Sequence, residues 1–457
     1  MKPAKTTQIP VPQASQPAVI RAWAIIRHLP FVIRHSPALL ATLLMLCTSC
    51  ATPKAVPSPA PPATPKTFSG ASPLTWSQRL ADSEIARRGD SLDWKPNGRA
   101  KWDYAAGLFT LSLLHLNETL AQNAGRSPAN PPFIQSPYVQ FSKNAIGSFV
   151  GFHGEVRTYN RNEFQLDSLN SGKTALALWR LTGDARYHDA AQVLDFQLVS
   201  QPQTPEGGFW HKQRYTNQMW LDGIYMAAPF HLECGQVFAQ SRSVSDVARQ
   251  LRLIDEHTYD AKTGLNYHAW DAAKIQPWAN PQTGCSSNFW GRAEGWYVMA
   301  LVDILDYFPT NHPARAQILA TLQKTARGIV PWQDAQTGLW WQVLDQGGRP
   351  GNYLEASASA MFVAALAKGV NRGYLSREYV PAITKGYAGL VDHLLRNDGN
   401  GQWSLTHCCS VAGLGFKTAA GRPRDGSYEY YLSEPVVDND LKAVGPFILA
   451  GTELDRW

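Results

Sequence analysis

The chain has 457 residues, 44% of them hydrophobic, and its 16 Trp, 17 Tyr and 17 Phe supply the material for a large core. The formal net charge is +6, but the first fifty residues hold five Lys or Arg and no acid, which leaves 37 basic and 36 acidic residues in the remainder. A nearly neutral body without Lys/Arg clusters argues against nucleic-acid binding, which needs a basic patch.

Residues 1–50 have the pattern of an export signal. Two arginines precede an apolar run over 38–46, which is too short to cross a membrane but typical of a signal peptide. The sequence CTSC at 47–50 then resembles a bacterial lipoprotein cleavage site, with Cys50 as the lipidated first residue. We therefore expect export in a bacterium as a periplasmic or outer-membrane lipoprotein that meets the membrane only through its lipid anchor. Simple cleavage of the signal is the alternative.

The Pro/Ala-rich composition of residues 51–69 predicts an extended linker, because such a stretch cannot pack a core. No comparable low-complexity break follows. Residues 70–457 are therefore predicted to form one domain.

The four cysteines beyond the leader form no CxxC pair; they are Cys234, Cys285, Cys408 and Cys409. Export allows a disulfide, but the spacing does not assign one. The acids and histidines also lack the spacing of divalent-cation or zinc ligands. We therefore expect no metal site.

Two kinds of predicted helix alternate along the domain. Amphipathic stretches with exposed charges predict outer helices near 74–88, 134–150, 184–199, 243–256, 313–329 and 377–396. Stretches with Gly, Ala and Ser on their packing faces predict inner helices near 103–121, 168–182, 219–239, 291–307, 355–372 and 440–454. Four loops share a glycine-plus-aromatic signature around Gly207, Gly264, Gly338 and Gly401.

Six helical hairpins with a period of about 50–85 residues indicate a repeat architecture. Closed into a ring, they form an all-α, double-layered (α/α)6 barrel, a six-hairpin toroid. An open helical solenoid is the alternative, but the gathering of aromatic and polar residues at one end of the inner helices favours closure. Strand signals are weak and confined to short pieces such as 341–344.

The loops that enter the inner helices bring aromatic, histidine and acidic side chains to one end of the predicted barrel. These side chains include Trp102, Tyr104, Asp167, His211, Trp220, Asp222, His268, Trp290, Arg292, Tyr353, Glu355 and Asp440. Aromatic faces stack on the C–H surfaces of sugars and polar groups bind their hydroxyls. This end is therefore predicted to be a carbohydrate-binding bowl.

Two acids at the starts of consecutive inner helices are the candidate catalytic pair. Asp222 lies between Trp220 and Tyr225, and apolar walls favour the protonated form that a general acid needs. Asp167 begins the preceding inner helix, and two carboxylates facing one substrate can divide acid and base roles. The alternative for each is a helix N-cap, for which Asp is a favoured residue.

Arg292 and two histidines are candidate substrate ligands. Arg292 stands between Trp290 and Trp296, where it is suited to a substrate carboxylate or sugar hydroxyls, although an ion pair with Glu294 or Glu355 is the alternative. His211 and His268 are candidates to bind substrate or tune an acid, although a lone loop histidine is more often simply exposed. Asp271 is expected to turn its loop.

At these residues the sequence resembles the unsaturated rhamnogalacturonyl hydrolases of glycoside hydrolase family 105, with a kinship to the unsaturated glucuronyl hydrolases of family 88. The resemblance runs from about residue 102 to the end. It rests on seven motifs in order: WDY at 102–104, DSLNSGK at 167–173, QMWLDG at 218–223, HAWD at 268–271, FWGRAEGW at 289–296, EASASA at 355–360 and GPFILA at 445–450.

The resemblance implies an (α/α)6 barrel and a glycosidase without cofactor or metal. The implied reaction hydrates the C4=C5 double bond that a polysaccharide lyase leaves in a non-reducing-end uronic acid. Asp222 would donate the proton to C4, and Asp167 would orient water or substrate. The implied substrate-binding residues are Tyr104, His211, Trp220, His268, Trp290, Arg292 and Trp296.

The substrate expected from the resemblance is an unsaturated galacturonyl unit of a rhamnogalacturonan oligosaccharide. An unsaturated glucuronyl hydrolase acting on glycosaminoglycan or ulvan-type oligosaccharides is one alternative, and a carbohydrate-binding lipoprotein without turnover is another. The chain departs from simple family members in its leader, in the Cys408-Cys409 pair and in a longer segment at about 408–440. That segment is expected to reach the bowl and to affect the choice of leaving sugar.

Overall fold

The computed structural model describes residues 66–89 and 100–457, which belong to one compact unit. The predicted signal, the lipidated Cys50 and most of the predicted linker lie outside the described residues. The domain boundary at residue 70 stays a prediction. None of the described helices is both long and apolar enough to cross a membrane.

Thirteen α-helices are found in the described residues. In chain order they are α1 (Pro73–Arg88), α2 (Tyr104–Asn123), α3 (Pro137–Ser142), α4 (Ser171–Thr182), α5 (Ala185–Asp195), α6 (Leu221–Val237), α7 (Arg242–Thr258), α8 (Gly291–Tyr307), α9 (Ala314–Ile329), α10 (Ala356–Asn371), α11 (Val380–Gly389), α12 (Tyr428–Tyr431) and α13 (Leu441–Leu454). Wider π-helical turns extend α3 over Lys143–Gly147 and α11 over Leu390–Leu394. Short 3-10 turns include Leu166–Leu169 before α4 and Phe196–Val199 after α5.

Six of these helices form the inner ring: α2, α4, α6, α8, α10 and α13. Helix α13 packs on both α10 and α2, α8 packs on both α6 and α10, and α2 packs on α4. The ring closes between α4 and α6, where the 3-10 turn Leu166–Leu169 packs on α6. The predicted (α/α)6 toroid is confirmed, and the open solenoid was the wrong alternative.

Small residues allow the inner helices to approach closely. A Cβ on Gly107 of α2 would lie 2.3 Å from Ser171 Oγ, and one on Gly172 of α4 would lie 2.4 Å from the ring of Phe230 in α6. Any side chain at either glycine would push neighbouring helices apart, because a packed interior has no spare volume.

The outer layer consists of α1, α3, α5, α7, α9 and α11, each packed on an inner helix. Helix α1 packs on α13, so the beginning and the end of the domain complete one hairpin. The glycines of the four Gly-aromatic loops, Gly207, Gly264, Gly338 and Gly401, all have positive φ. The loop signature therefore reflects a left-handed turn, which glycine adopts without steric cost.

Three two-stranded antiparallel sheets are formed by the segments between the helices. They pair β1 (Gln218–Trp220) with β2 (Ala269–Asp271), β3 (Leu395–Gly399) with β4 (Gln402–Leu405), and β5 (Cys408–Cys409) with β6 (Val436–Val437). The piece at 341–344 is not a strand; it makes isolated bridges, in which Val343 pairs with Trp290 and Trp341 pairs with Leu354. All four described cysteines are buried and free.

Candidate active site

The first turn of α6 presents Asp222 to the bowl without using it as a cap. Trp220, in an extended conformation, is the N-cap residue, and no side chain caps this helix. Asp222 lies in the first turn, where the positive end of the helix dipole favours a carboxylate. The N-cap alternative for Asp222 is therefore wrong.

His268 lies beside Asp222. Its Nε2 lies 3.3 Å from Asp222 Oδ2, but the pair lacks hydrogen-bond geometry and neither atom has another hydrogen-bond partner among the described residues. On its other side His268 Nδ1 shares a 2.8 Å hydrogen bond with the Tyr431 hydroxyl. The hydrogen bond with Tyr431 therefore holds the imidazole of His268 with Nε2 facing Asp222 Oδ2.

Asp167 occupies a different electrostatic setting. Its Oδ2 lies 2.8 Å from Lys212 Nζ and its Oδ1 lies 3.1 Å from His211 Nε2. Burial opposes ionisation, but Lys212 and His211 outweigh it and hold the pKa of this carboxyl well below its usual range. The side chain does not cap α4, whose N-cap is Asn170. Asp167 is therefore a fixed negative charge.

His211 connects the two acids. A Cβ on Gly223, the residue after Asp222, would lie only 2.8 Å from His211 Nδ1. The imidazole that bonds Asp167 therefore fits under the first turn of α6 because residue 223 has no side chain. The structure brings both predicted acids and both predicted histidines into one cluster.

Aromatic rings line this cluster. The Trp220 ring lies 4.8 Å from His211 in a nearly parallel arrangement and 5.2 Å, edge-on, from His268. Trp290 lies 4.8 Å from His268 on the other side and donates from Nε1 to Gln342 Oε1 at 3.2 Å. Both histidines are buried, so the expectation that loop histidines are exposed does not hold here.

Comparison with known proteins agrees with this geometry. The model of Glycosyl Hydrolase Family 88 matches residues 76–457. The chain belongs to this family. A family 105 glycoside hydrolase from C. acetobutylicum ATCC 824 has a solved structure that is 36% identical, with a TM-score of 0.75, and the match covers 84% of this chain and 99% of that one.

Two curated relatives with named activities each match about half of this chain. Unsaturated rhamnogalacturonyl hydrolase YesR from Bacillus subtilis (strain 168) is 31% identical over 233 residues, 50% of this chain and 63% of its own length. Unsaturated 3S-rhamnoglycuronyl hydrolase from Alteromonas sp. (strain LOR) is 29% identical over 242 residues, 52% of this chain and 51% of its own length. The family 105 and 88 resemblance is confirmed.

Arg292 of this family 88 chain is committed to protein partners. Its guanidinium donates to Ser357 Oγ at 2.8 Å and to the Cys409 carbonyl, and it lies 3.6 Å from Glu355 Oε1. The interhelical ion pair is present, with Glu355 as the partner. The role of Arg292 in binding substrate stays a prediction.

Tyr104 and Trp296 lie deeper in the barrel. Trp296 is buried, with its ring stacked 4.8 Å from Tyr225 and edge-on to Tyr104 at 6.4 Å. Burial and the nearby Asp167 and Asp103 carboxylates raise the pKa of Tyr104 well above its usual value. The Tyr104 phenol therefore stays protonated at neutral pH and remains a hydrogen-bond donor.

The structure adds two residues to the site that sequence reasoning missed. Tyr431, from the short helix α12, bonds His268 across 163 residues of chain. Tyr215 stacks on Trp220 at 4.7 Å. The prediction that the segment 408–440 reaches the bowl pointed to the region that contains Tyr431. The contact between Tyr431 and His268 itself could not be predicted, because no local sequence spacing indicates a contact between residues so far apart in the chain.

Asp271 turns its loop as expected, accepting from the backbone N–H groups of residues 273, 275 and 276.

Proposed function

We propose that this family 88 glycosidase removes a 4,5-unsaturated uronic acid from the non-reducing end of an oligosaccharide by hydrating its C4=C5 double bond. The contrast between the two acids carries the proposal. Asp167 is held ionised by Lys212 and His211, so it cannot supply a proton. Asp222 has an oxygen with no hydrogen-bond partner among the described residues and a histidine beside it, so it is the acid free to donate.

Asp222 protonates C4, and a water molecule adds to C5 while returning a proton to the Asp222 carboxylate. The resulting C5 hemiketal opens when the ring oxygen leaves C5, giving a C5 ketone and a hemiacetal at C1. The hemiacetal then expels the leaving sugar as an alcohol and becomes an aldehyde. Asp167 and Lys212 orient the water or a sugar hydroxyl, and the flanking Trp220 and Trp290 bind the sugar faces.

We propose an unsaturated galacturonyl unit of a rhamnogalacturonan oligosaccharide, the product of a polysaccharide lyase, as the substrate. The similarity to YesR supports this choice. The similarity to the Alteromonas enzyme supports the alternative of a rhamnoglycuronyl substrate of ulvan type. A non-catalytic binding protein is disfavoured, because a binder gains nothing from a buried acid without a hydrogen-bond partner.

The test follows the ultraviolet absorbance of the conjugated double bond with unsaturated rhamnogalacturonan, homogalacturonan, ulvan and chondroitin disaccharides. The absorbance should fall fastest with the rhamnogalacturonan disaccharide. In D2O, early product should carry one deuterium at C4 by NMR. Release of a sugar that keeps its double bond would instead show attack at the anomeric carbon and disprove the hydration mechanism.

We further propose that the protein is exported and anchored through a lipid on Cys50, as the leader pattern indicates. Labelled fatty acid should be incorporated into the wild-type protein and not into Cys50→Ser. Unlabelled wild type in the membrane-free fraction would favour simple cleavage of the signal.

A further inference from the structure

An exposed arginine sits at the outer end of the aromatic cluster. The guanidinium carbon of Arg214 lies 5.3 Å from the ring centroid of Tyr215 and 4.7 Å from that of Phe416. Tyr215 in turn stacks on Trp220, two residues before Asp222. The aromatic contacts hold the long Arg214 side chain in place, which reduces the rotamer entropy lost when it binds an anion.

Two more cations lie beside Phe416. The bridge between Lys417 and Pro423 folds this stretch back on itself, and Arg424 N donates to the Phe416 carbonyl at 2.6 Å. Lys417 and Arg422 lie on the two arms of this turn, and both are exposed.

Among the described residues, these three cations lack a counter-charge of the kind that Arg424 has. Arg424, for comparison, lies 2.9 Å from Glu434 Oε1. Within residues 66–89 and 100–457, no carboxylate lies at ion-pairing distance from Arg214, Lys417 or Arg422. Three unpaired positive charges on one side of the bowl raise the local concentration of anions.

The stretch from residue 413 to residue 426, which carries Lys417 and Arg422, contacts the candidate active site at both of its ends. Gly413 packs against Trp220, with an ideal Cβ 3.5 Å from the indole ring. The Gly426 carbonyl accepts hydrogen bonds from Ser287 Oγ and Asn288 Nδ2, both at 2.8 Å. Lys417 and Arg422 are thus presented by a turn whose two ends are tied to Trp220 and to residues shortly before Trp290.

We propose that Arg214, Lys417 and Arg422 form a basic rim that binds a second anionic group, a carboxylate or a sulfate, on the leaving part of the oligosaccharide. The rim deepens the proposed function and rests on it. The unsaturated uronate is held at the acids, while the rim binds a charge carried further along the leaving part, such as the next galacturonate of a rhamnogalacturonan oligosaccharide. Oligosaccharides from uronate-containing polymers carry such charges, so the rim favours them over neutral leaving groups.

The test compares three substrates that share one unsaturated uronate but have neutral, carboxylated or sulfated leaving parts. In the Arg214→Gln, Lys417→Gln, Arg422→Gln triple variant, kcat/KM should fall about tenfold on the preferred anionic substrate, because three exposed ion pairs are lost and each contributes roughly a twofold factor. On the neutral substrate it should change less than about twofold. The carboxylated and sulfated arms identify which anion the rim prefers.

Salt and a second triple variant provide the controls. Added salt should remove the preference of the wild type for anionic substrates and leave the variant unchanged. The matched control replaces three exposed cations elsewhere, Lys262, Arg327 and Arg377, by glutamine and should keep the wild-type preference.

The rim proposal would be overturned if the triple variant lost kcat/KM equally on neutral and anionic substrates, or if the wild type did not prefer anionic substrates. If the wild type turns over none of the three substrates, the proposed function fails. The rim is then judged by titration with a saturated oligogalacturonate, which should bind wild type more tightly than the triple variant. Equal binding would reject the rim as well.

Discussion

The two ends of the barrel use charge in opposite ways. At the end with the N-termini of the inner helices, Asp222 Oδ2 and His268 Nε2 are buried and have no hydrogen-bond partner among the described residues. At the opposite end, an open pocket is lined by paired charges. There Lys368 lies 2.6 Å from Asp303 and 2.7 Å from Asp306.

The difference separates chemistry from stability. Buried polar groups without partners cost free energy, and they persist where a ligand or a reaction uses them. Partly buried ion pairs are costly to break, because removing one partner leaves the other charge uncompensated. Substitutions at the first end should therefore change turnover more than stability, and those at the second end should do the reverse.

The largest effect on turnover is expected from Asp222→Asn. The amide cannot donate a proton to carbon, so turnover should fall by about 10³-fold or more while the melting temperature changes little. The conservative replacement Asp189→Asn, on the exposed face of α5, is the control and should leave turnover unchanged. Loss of absorbance at a rate near that of wild type in Asp222→Asn would contradict the proton-donor role.

Lys212→Met should have the next largest effect. Without Lys212 the pKa of Asp167 rises, so the acidic limb of the kcat/KM profile should move to higher pH, with turnover at neutral pH lower by about tenfold. A depressed carboxyl pKa stabilises the fold above the pKa of the unfolded chain, and that stability disappears as pH falls. The loss of stability on acidification should therefore be shallower in the variant.

The control for Lys212 is Lys262→Met, which removes an exposed charge from the turn before Gly264. Its pH profile should overlay that of wild type. An unmoved acidic limb in Lys212→Met would mean that Asp167 does not need this lysine to stay ionised.

Lys173 lines the pocket at the second end and contacts Tyr225, so a smaller effect on turnover is expected. Pro229 has no N–H, so α6 cannot satisfy the Tyr225 carbonyl, and Lys173 Nζ donates to it at 3.0 Å instead. Lys173→Met should destabilise by about 1–2 kcal/mol and lower turnover a few-fold, because Tyr225 supports Trp296. Adding Pro229→Ala restores an N–H and should recover most of both losses. If the double variant recovers neither stability nor turnover, the hydrogen bond from Lys173 to the Tyr225 carbonyl is not the cause of the losses.

The same lysine has a pH signature. Burial lowers the pKa of Lys173 to about 7, below its unfolded value near 10.5. The unfolded chain binds more protons between these values, so this group makes the unfolding free energy rise with pH across that window. Denaturant titrations at pH 7 and pH 10 should show a smaller rise in Lys173→Met.

Lys368→Met should leave turnover unchanged. It leaves Asp303 and Asp306 without their cation, so we expect about 2 kcal/mol of destabilisation, less than for a fully buried pair because all three side chains are partly exposed. Adding Asp303→Asn and Asp306→Asn should recover stability. A fall in kcat of Lys368→Met without a fall in its stability would contradict the prediction that this end of the barrel serves stability and not turnover.

The sequence predicted the helical ring well, because twelve stretches repeat one pattern and the loop glycines mark turns of positive φ. It also predicted that Asp167, Asp222, His211 and His268 gather at one end of the barrel, and the structure brings them together there; their roles stay predictions. It missed the burial of both histidines, since the rings that cover them come from other loops. The outer helix predicted to reach residue 396 ends earlier, because Leu395 leaves the helix to pair with Leu405 in a hairpin.

The pairing of β1 with β2 has a consequence for how such enzymes can diversify. Trp220 lies opposite Ala269, and Leu221 N donates to the His268 carbonyl at 3.0 Å. The spacing of Asp222 and His268 is therefore set by backbone register and not by the loops that follow. Those loops, including the turn that carries Lys417 and Arg422, are free to lengthen or change composition while the reacting pair keeps its distance. New leaving-group preferences can arise there without rebuilding the chemistry.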